Sequence, residues 1–101
     1  MVQAIENLTA LTTRLVTSQP HPRLKGWDRL VVDVLDARPV AGRADLLSRY
    51  VGGRLELAVP GSLVAGLPPG TVIRLRAKLA GGHAMAEKQP PPGTFMTEPP
   101  R

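Results

Sequence analysis

From Ile73 to Leu79 the chain alternates without a break, with Ile73, Leu75, Ala77 and Leu79 on one side and Arg74, Arg76 and Lys78 on the other. A period of two belongs to a half-buried strand and cannot be accommodated on one face of a helix. Gly81-Gly82 follows almost at once, and consecutive glycines supply the positive φ angles of a two-residue hairpin turn. His83 to Lys88 therefore returns antiparallel. Pairing Ala80 with His83 sets Arg76 across from Glu87, an opposite-charge pair that favours the register. This hairpin commits the second half of the chain to β structure.

The remaining segments are read from the same signals. Arg29 to Val40 is rich in β-branched residues and apolar on both sides, which predicts a long first strand ending at Pro39 and Gly42. Gly52-Gly53 predicts a second two-residue hairpin, with Val51 opposite Arg54, Tyr50 opposite Leu55 and Arg49 opposite Glu56. In that register Leu46, Tyr50, Leu55, Leu57 and Val59 share the inner face, and Arg49, Arg54 and Glu56 the outer one. Pro60-Gly61 closes the third strand. Ser62 caps a helical turn from Leu63 to Leu67, and Pro68-Pro69-Gly70 turns the chain into the fourth strand.

Residues 1–19 place Met1, Ile5, Leu8, Leu11 and Leu15 at intervals of three or four, the spacing of a one-faced amphipathic helix. Thr12, Thr13 and Thr17 weaken helix propensity and leave a strand open. Pro20 and Pro22 end the segment, making residues 20–26 a linker, 27–88 the barrel and 89–101 a flexible tail. That tail has five prolines in thirteen residues, which keeps it out of any central strand and predicts an extended arm, either solvated or a polyproline ligand.

Composition narrows the function classes. A chain of 101 residues makes one domain, and 43% hydrophobic residues is enough for a folded core. The absence of cysteine removes disulfides, thiolate metal sites and cysteine nucleophiles, and suggests a reducing, cytoplasmic setting. No apolar run approaches the roughly 20 residues of a membrane span. Thirteen Lys and Arg against eight Asp and Glu give a net charge of +5, with ten Arg to three Lys, a bias that also suggests a high-GC bacterial source. Such a balance favours polyanionic partners, although it equally serves solubility.

No catalytic or metal-binding constellation is visible, and no cofactor is expected. His21 and His83 lie far apart without cysteines or a carboxylate cluster, unlike a zinc site. Asp33 and Asp36, three apart on a strand, face opposite sides and cannot cooperate as acid and base. Ser62 lacks the glycine-flanked elbow of a hydrolase nucleophile.

One long strand, a glycine hairpin, a short helix after the third strand and a final hairpin give the order β-β-β-α-β-β. Over about Trp27 to Lys88 this resembles the OB-fold, with Ser62 to Leu67 as the helical link and Pro69-Gly70-Thr71-Val72 leading into the fourth strand. An SH3-like or other small barrel also accommodates the pattern. The fold class is thus all-β: a five-stranded OB-like barrel, an N-terminal helix and a short helix between strands three and four.

The resemblance implies binding of single-stranded DNA or RNA, with weak sequence preference, across the second and third strands. Phosphate contacts would come from Arg38, Arg43, Arg49 and Arg54, and from the row Arg74, Arg76 and Lys78. Trp27 is either a stacking residue or a plug at the barrel end, and Tyr50 falls on the inward parity, away from the expected binding face. The alternative is a protein-interaction or assembly subunit, even a homodimer, joined through the apolar stripe Ile5, Leu8, Leu11 and Leu15.

Overall fold

The computed structural model describes residues 6–100. Six strands form one sheet: β1 (Thr9–Pro20), β2 (Trp27–Pro39), β3 (Arg54–Pro60), β4 (Val72–Ala80), β5 (His83–Ala86) and β6 (Met96–Glu98), with one short helix, α1 (Gly61–Val64), between β3 and β4. The hydrogen-bonded order is β1-β2-β3-β5-β4, and β4 pairs back onto β1, so the first five strands close a barrel. All neighbours are antiparallel except β3 and β5, which run parallel. This mixed closed barrel of five strands, with its helix after the third, is an OB-fold-like architecture.

The expected N-terminal helix is not present among the described residues; in its place stands β1. The part of that segment over residues 1–5, including Ile5 of the proposed contact stripe, lies outside the described residues. Leucines at 11 and 15 share a face in a strand as well as in a helix, so their spacing does not distinguish the two. The deciding residues are Thr9 and Thr13, which a helical reading assigns to the polar side. Both are fully buried on the same face as Leu11 and Leu15. Thr13 Oγ1 donates to Ile73 O at 2.9 Å and Thr9 Oγ1 to Asp45 Oδ1 at 2.9 Å. A hydroxyl so satisfied enters a core at little cost, and β-branched threonine fits a pleated strand. Leu8, Leu11 and Leu15 are likewise buried, so they form core and not an exposed partner surface.

A second correction concerns Gly52-Gly53. The strand expected over Leu46 to Val51 is a loop carrying a 3-10 turn, Ser48–Tyr50, and β3 pairs instead with β2, from Trp27 opposite Pro60 to Asp33 opposite Arg54. Val51 at φ −57° and ψ 131°, then Gly52 at φ 87°, have the angles of a type II turn, closed by Gly53 N–H on Tyr50 O. The glycines then bond β2, through Gly52 N–H to Val34 O and Val34 N–H to Gly53 O, both 2.9 Å. Arg49 accordingly never meets Glu56, whose β2 partner is Val31. At Gly81-Gly82 both residues do have positive φ, and the hairpin there has the expected register, Ala80 with His83 and Arg76 beside Glu87.

The core runs through Leu11, Leu15, Leu30, Val32, Leu57 and Ile73, with Leu47 entering from the β2–β3 loop and Val64 from α1. Near the end of β1, Asn7 extends the β1–β4 ladder with its side chain: Nδ2 donates to Leu79 O at 3.0 Å and Oδ1 accepts from Leu79 N–H at 2.7 Å. Beyond β5 the chain leaves the sheet and returns as β6, which lies along β4 from Val72 opposite Glu98 to Arg74 opposite Met96. Phe95 at its start packs against the core. The intervening prolines do not continue as a polyproline helix, because Thr94 N–H closes a turn on Pro91 O with Gly93 at φ 82°.

Replacing Asn7 by alanine strands the Leu79 amide and carbonyl. The expected loss is about 2–3 kcal/mol of unfolding free energy, read from the urea midpoint at unchanged m-value. A loss below about 0.5 kcal/mol would show that the side-chain extension of the ladder is unimportant.

Candidate binding groove

The barrel closes weakly on one side. β3 and β5 meet only at Leu57 opposite Ala84 and Ala58 opposite Met85. Over this seam lies a groove of about 570 Å³, walled by the β1–β2 loop at His21, Arg23 and Leu24, and by the β4–β5 turn at Gly82 and His83. Tyr50 and Glu56 line it as well.

Register explains the floor. Arg54, Glu56 and Ala58 alternate with the inward Leu55, Leu57 and Val59, so they face outward. Ala58 pairs with Arg29 on β2 and Met85 on β5, and Met85 pairs with Lys78 on β4. A small, buried residue thus sits between an arginine and a methionine, whose side chains cover it and form the groove floor. Arg29 pairs across the ladder with the neutral Gln19 of β1, whose amide group lies against its guanidinium, and it has no ion pair among the described residues. A neutral partner leaves the guanidinium charge uncompensated.

The walls are set by two local devices. In the β1–β2 loop, His21 Nδ1 accepts the amides of Arg23 at 3.1 Å and Leu24 at 3.0 Å, and His21 N–H bonds Trp27 O at 2.8 Å. In the β2–β3 loop, Asp45 Oδ1 accepts from Thr9 Oγ1 and from the amides of Leu47 at 3.3 Å and Ser48 at 3.0 Å, while Oδ2 accepts from Ser48 Oγ. The Ser48 hydroxyl is the main reason that the Asp45 carboxyl titrates below the usual carboxylate range; burial opposes it, and Thr9 and the two amides add to it. This carboxylate fixes the 3-10 turn that brings Tyr50 to the groove. Arg49 covers the Tyr50 ring at 5.1 Å from its centroid and donates from Nη2 to Tyr50 Oη at 3.2 Å.

The residues expected to contact phosphate are scattered around the barrel, and most have acidic partners. Arg54 pairs with Asp33 at 3.1 Å, Arg38 with Asp36 at 3.5 Å, Arg74 with Glu98 at 3.2 Å and Arg76 with Glu87. Arg38, Arg74 and Arg76 are brought together across Ala10 and Thr12 at a second groove of about 500 Å³, but their carboxylates come with them. Arg43 is exposed in the β2–β3 loop and Lys78 on β4. Trp27 starts β2 opposite Pro60, half-buried, and contributes to neither the core cluster nor the groove.

Sequence reasoning missed Arg23, Arg29, Tyr50, Glu56 and the two histidines, which one groove collects from five elements: the β1–β2 loop, β2, the β2–β3 loop, β3 and β5. A usable signal existed for Arg29, since correct placement of β1 puts Gln19 opposite it. Among the described residues, no three His, Cys, Asp or Glu side chains cluster as metal ligands, and no helix is long and apolar enough to cross a membrane. The arrangement is a concave, partly apolar strip bordered by Arg23, Arg29 and an aromatic ring.

Because its folded-state pKa is depressed, Asp45 contributes stability above the ordinary carboxylate value of about 3.9 and loses it as pH falls through the folded value. The stability advantage of the wild type over Asp45→Asn is therefore expected to be largest above about pH 5 and to shrink on acidification. Urea melts across that range measure it; a difference independent of pH would mean that the charge has no role.

Comparison with protein-family models, with curated proteins and with solved structures finds no match to this chain.

Proposed function

We propose that the groove over β3 binds single-stranded nucleic acid, with the backbone along its cationic rim and a base against Tyr50. The observation that carries this reading is the coincidence of place and chemistry. OB-like barrels receive single strands on the β2–β3 face, between the loop joining the first two strands and the one joining the last two. Here that location carries Arg23 and Arg29, two histidines and the groove's aromatic residue, against one carboxylate, Glu56.

The rest of the surface supports the same choice by contrast. Arg38, Arg54, Arg74 and Arg76 each stand beside an acid, so much of their field is cancelled locally. Arg23 has no side-chain partner among the described residues, and Arg29 has only an uncharged one. A phosphate approaching the groove meets net positive charge without first displacing a carboxylate. Counterion release then supplies affinity that does not depend on sequence.

Fluorescence anisotropy of a labelled oligothymidylate tests the proposal. Binding at low salt should weaken with a log–log slope of roughly 0.7 per neutralised phosphate. Arg23→Ala and Arg29→Ala should each reduce that slope, while Arg74→Ala should leave it unchanged. Tyr50→Ala should cost about 1–3 kcal/mol of binding and Tyr50→Phe much less, because a phenyl ring still stacks. Absence of binding at low salt would overturn the reading.

A further inference from the structure

Within the groove, Glu56 is out of keeping with a surface that attracts phosphate. It lies on the outward face of β3, two residues before Ala58, and is exposed. Asp33, Asp36, Glu87 and Glu98 are occupied by arginines, and Asp45 by the β2–β3 loop. Glu56 has no ion pair or side-chain hydrogen bond among the described residues, although Arg29 lines the same groove. An unpaired carboxylate there repels a phosphate placed directly beside it, though not one on the cationic rim. Its oxygens accept hydrogen bonds only, so the groups it can receive are N–H donors.

Resting on the nucleic-acid reading above, we propose that Glu56 is a specificity-determining residue that selects guanine. An unpaired guanine offers two adjacent donors on its Watson–Crick edge, the ring N1–H and the exocyclic amino group, at the spacing of the two oxygens of a carboxylate. Cytosine and adenine offer an amino group beside a ring acceptor, and so make one bond of this kind. Thymine and uracil set carbonyl oxygens on either side of a single N–H, and those oxygens are repelled by the carboxylate.

The surroundings suit a base in that position. Beside Glu56, Ala58 is small and buried beneath its neighbours, so a ring there rests on the polarizable Met85 on its β5 side and the Arg29 guanidinium on its β2 side. A strand rise of about 3.3 Å per residue puts the Glu56 and Ala58 positions roughly 7 Å apart, comparable with the width of a base. The backbone then follows the rim at Arg23, away from the carboxylate. Repulsion of phosphate and acceptance of guanine act together, since both disfavour orientations that turn the backbone inward.

The test compares three labelled twelve-nucleotide DNA strands by anisotropy at fixed salt: oligothymidylate, alternating thymidine–cytidine and alternating thymidine–guanosine. The wild type should bind the guanosine strand roughly tenfold more tightly than oligothymidylate, with the cytidine strand between. Glu56→Gln keeps the shape, removes the charge and replaces one acceptor by a donor, which also matches thymine. It should tighten oligothymidylate binding and bring the ratio close to one, with an unchanged melting temperature because the side chain is exposed.

Equal wild-type affinity for all three strands would overturn the guanine assignment while leaving the nucleic-acid reading intact. So would a Glu56→Gln variant that binds every strand more tightly by the same factor, since Glu56 would then act only by repulsion. Failure of all three strands to bind would overturn both.

Discussion

Everything in this domain depends on β1 being shared between two neighbours. From Thr9 to Arg14 each residue of that strand pairs with β2 on one side and β4 on the other, and no other segment joins the first half of the sheet to the second along so long a register. Only the two residue pairs between β3 and β5 complete the ring elsewhere. Leu11 and Leu15 bring apolar volume to the centre, each contributing about 1.5–3 kcal/mol by burial. The buried Thr9 and Thr13 hydroxyls connect the strand laterally to the β2–β3 loop and to β4. Remove β1, and β2 and β4 become open edges with their apolar faces exposed.

The functional surface follows from that closure. With β1 carrying the long seam, the β3–β5 seam can be short, and its shortness leaves the groove. Continuation of β1 along β2 to Pro20, beyond its last pairing with β4 at Arg14, carries the His21–Leu24 loop to the groove. Asp45 ties the loop bearing Tyr50 to Thr9 of the same β1, so the aromatic wall and the barrel seam share one hydrogen-bond network. Electrostatics divides the surface in parallel: the face around Ala10 and Thr12 holds arginines with acidic partners, whereas the groove holds arginines without them.

What the chain reveals before folding is what local register encodes. The β4–β5 hairpin was legible because its alternation, its turn glycines and its Arg76–Glu87 pair all lie within about fifteen residues of each other. β1 was not, because its inward face carries threonines, and the spacing of Leu8, Leu11 and Leu15 imitates a helix when those positions are counted as polar. Gly52-Gly53 imitates a hairpin turn for a similar reason, although only Gly52 has positive φ. The two misreadings offset each other, a strand lost at β1 and one added at Leu46 to Val51, so the barrel had the right number of strands with one wrong member. The groove was least legible. Its walls come from segments joined by the parallel β3–β5 contact and by the β1–β2 loop, and no periodicity within a single strand reports such neighbours.

Native-state hydrogen exchange of the β1 amides tests the shared strand most directly. If β1 closes the barrel, the protected amides from Thr9 to Arg14 open only with global unfolding, and their exchange free energies match those of the central amides of β2 and β4. If those amides instead exchange by a separate opening of lower free energy while β2 and β4 stay protected, β1 is an appendage and the barrel holds without it.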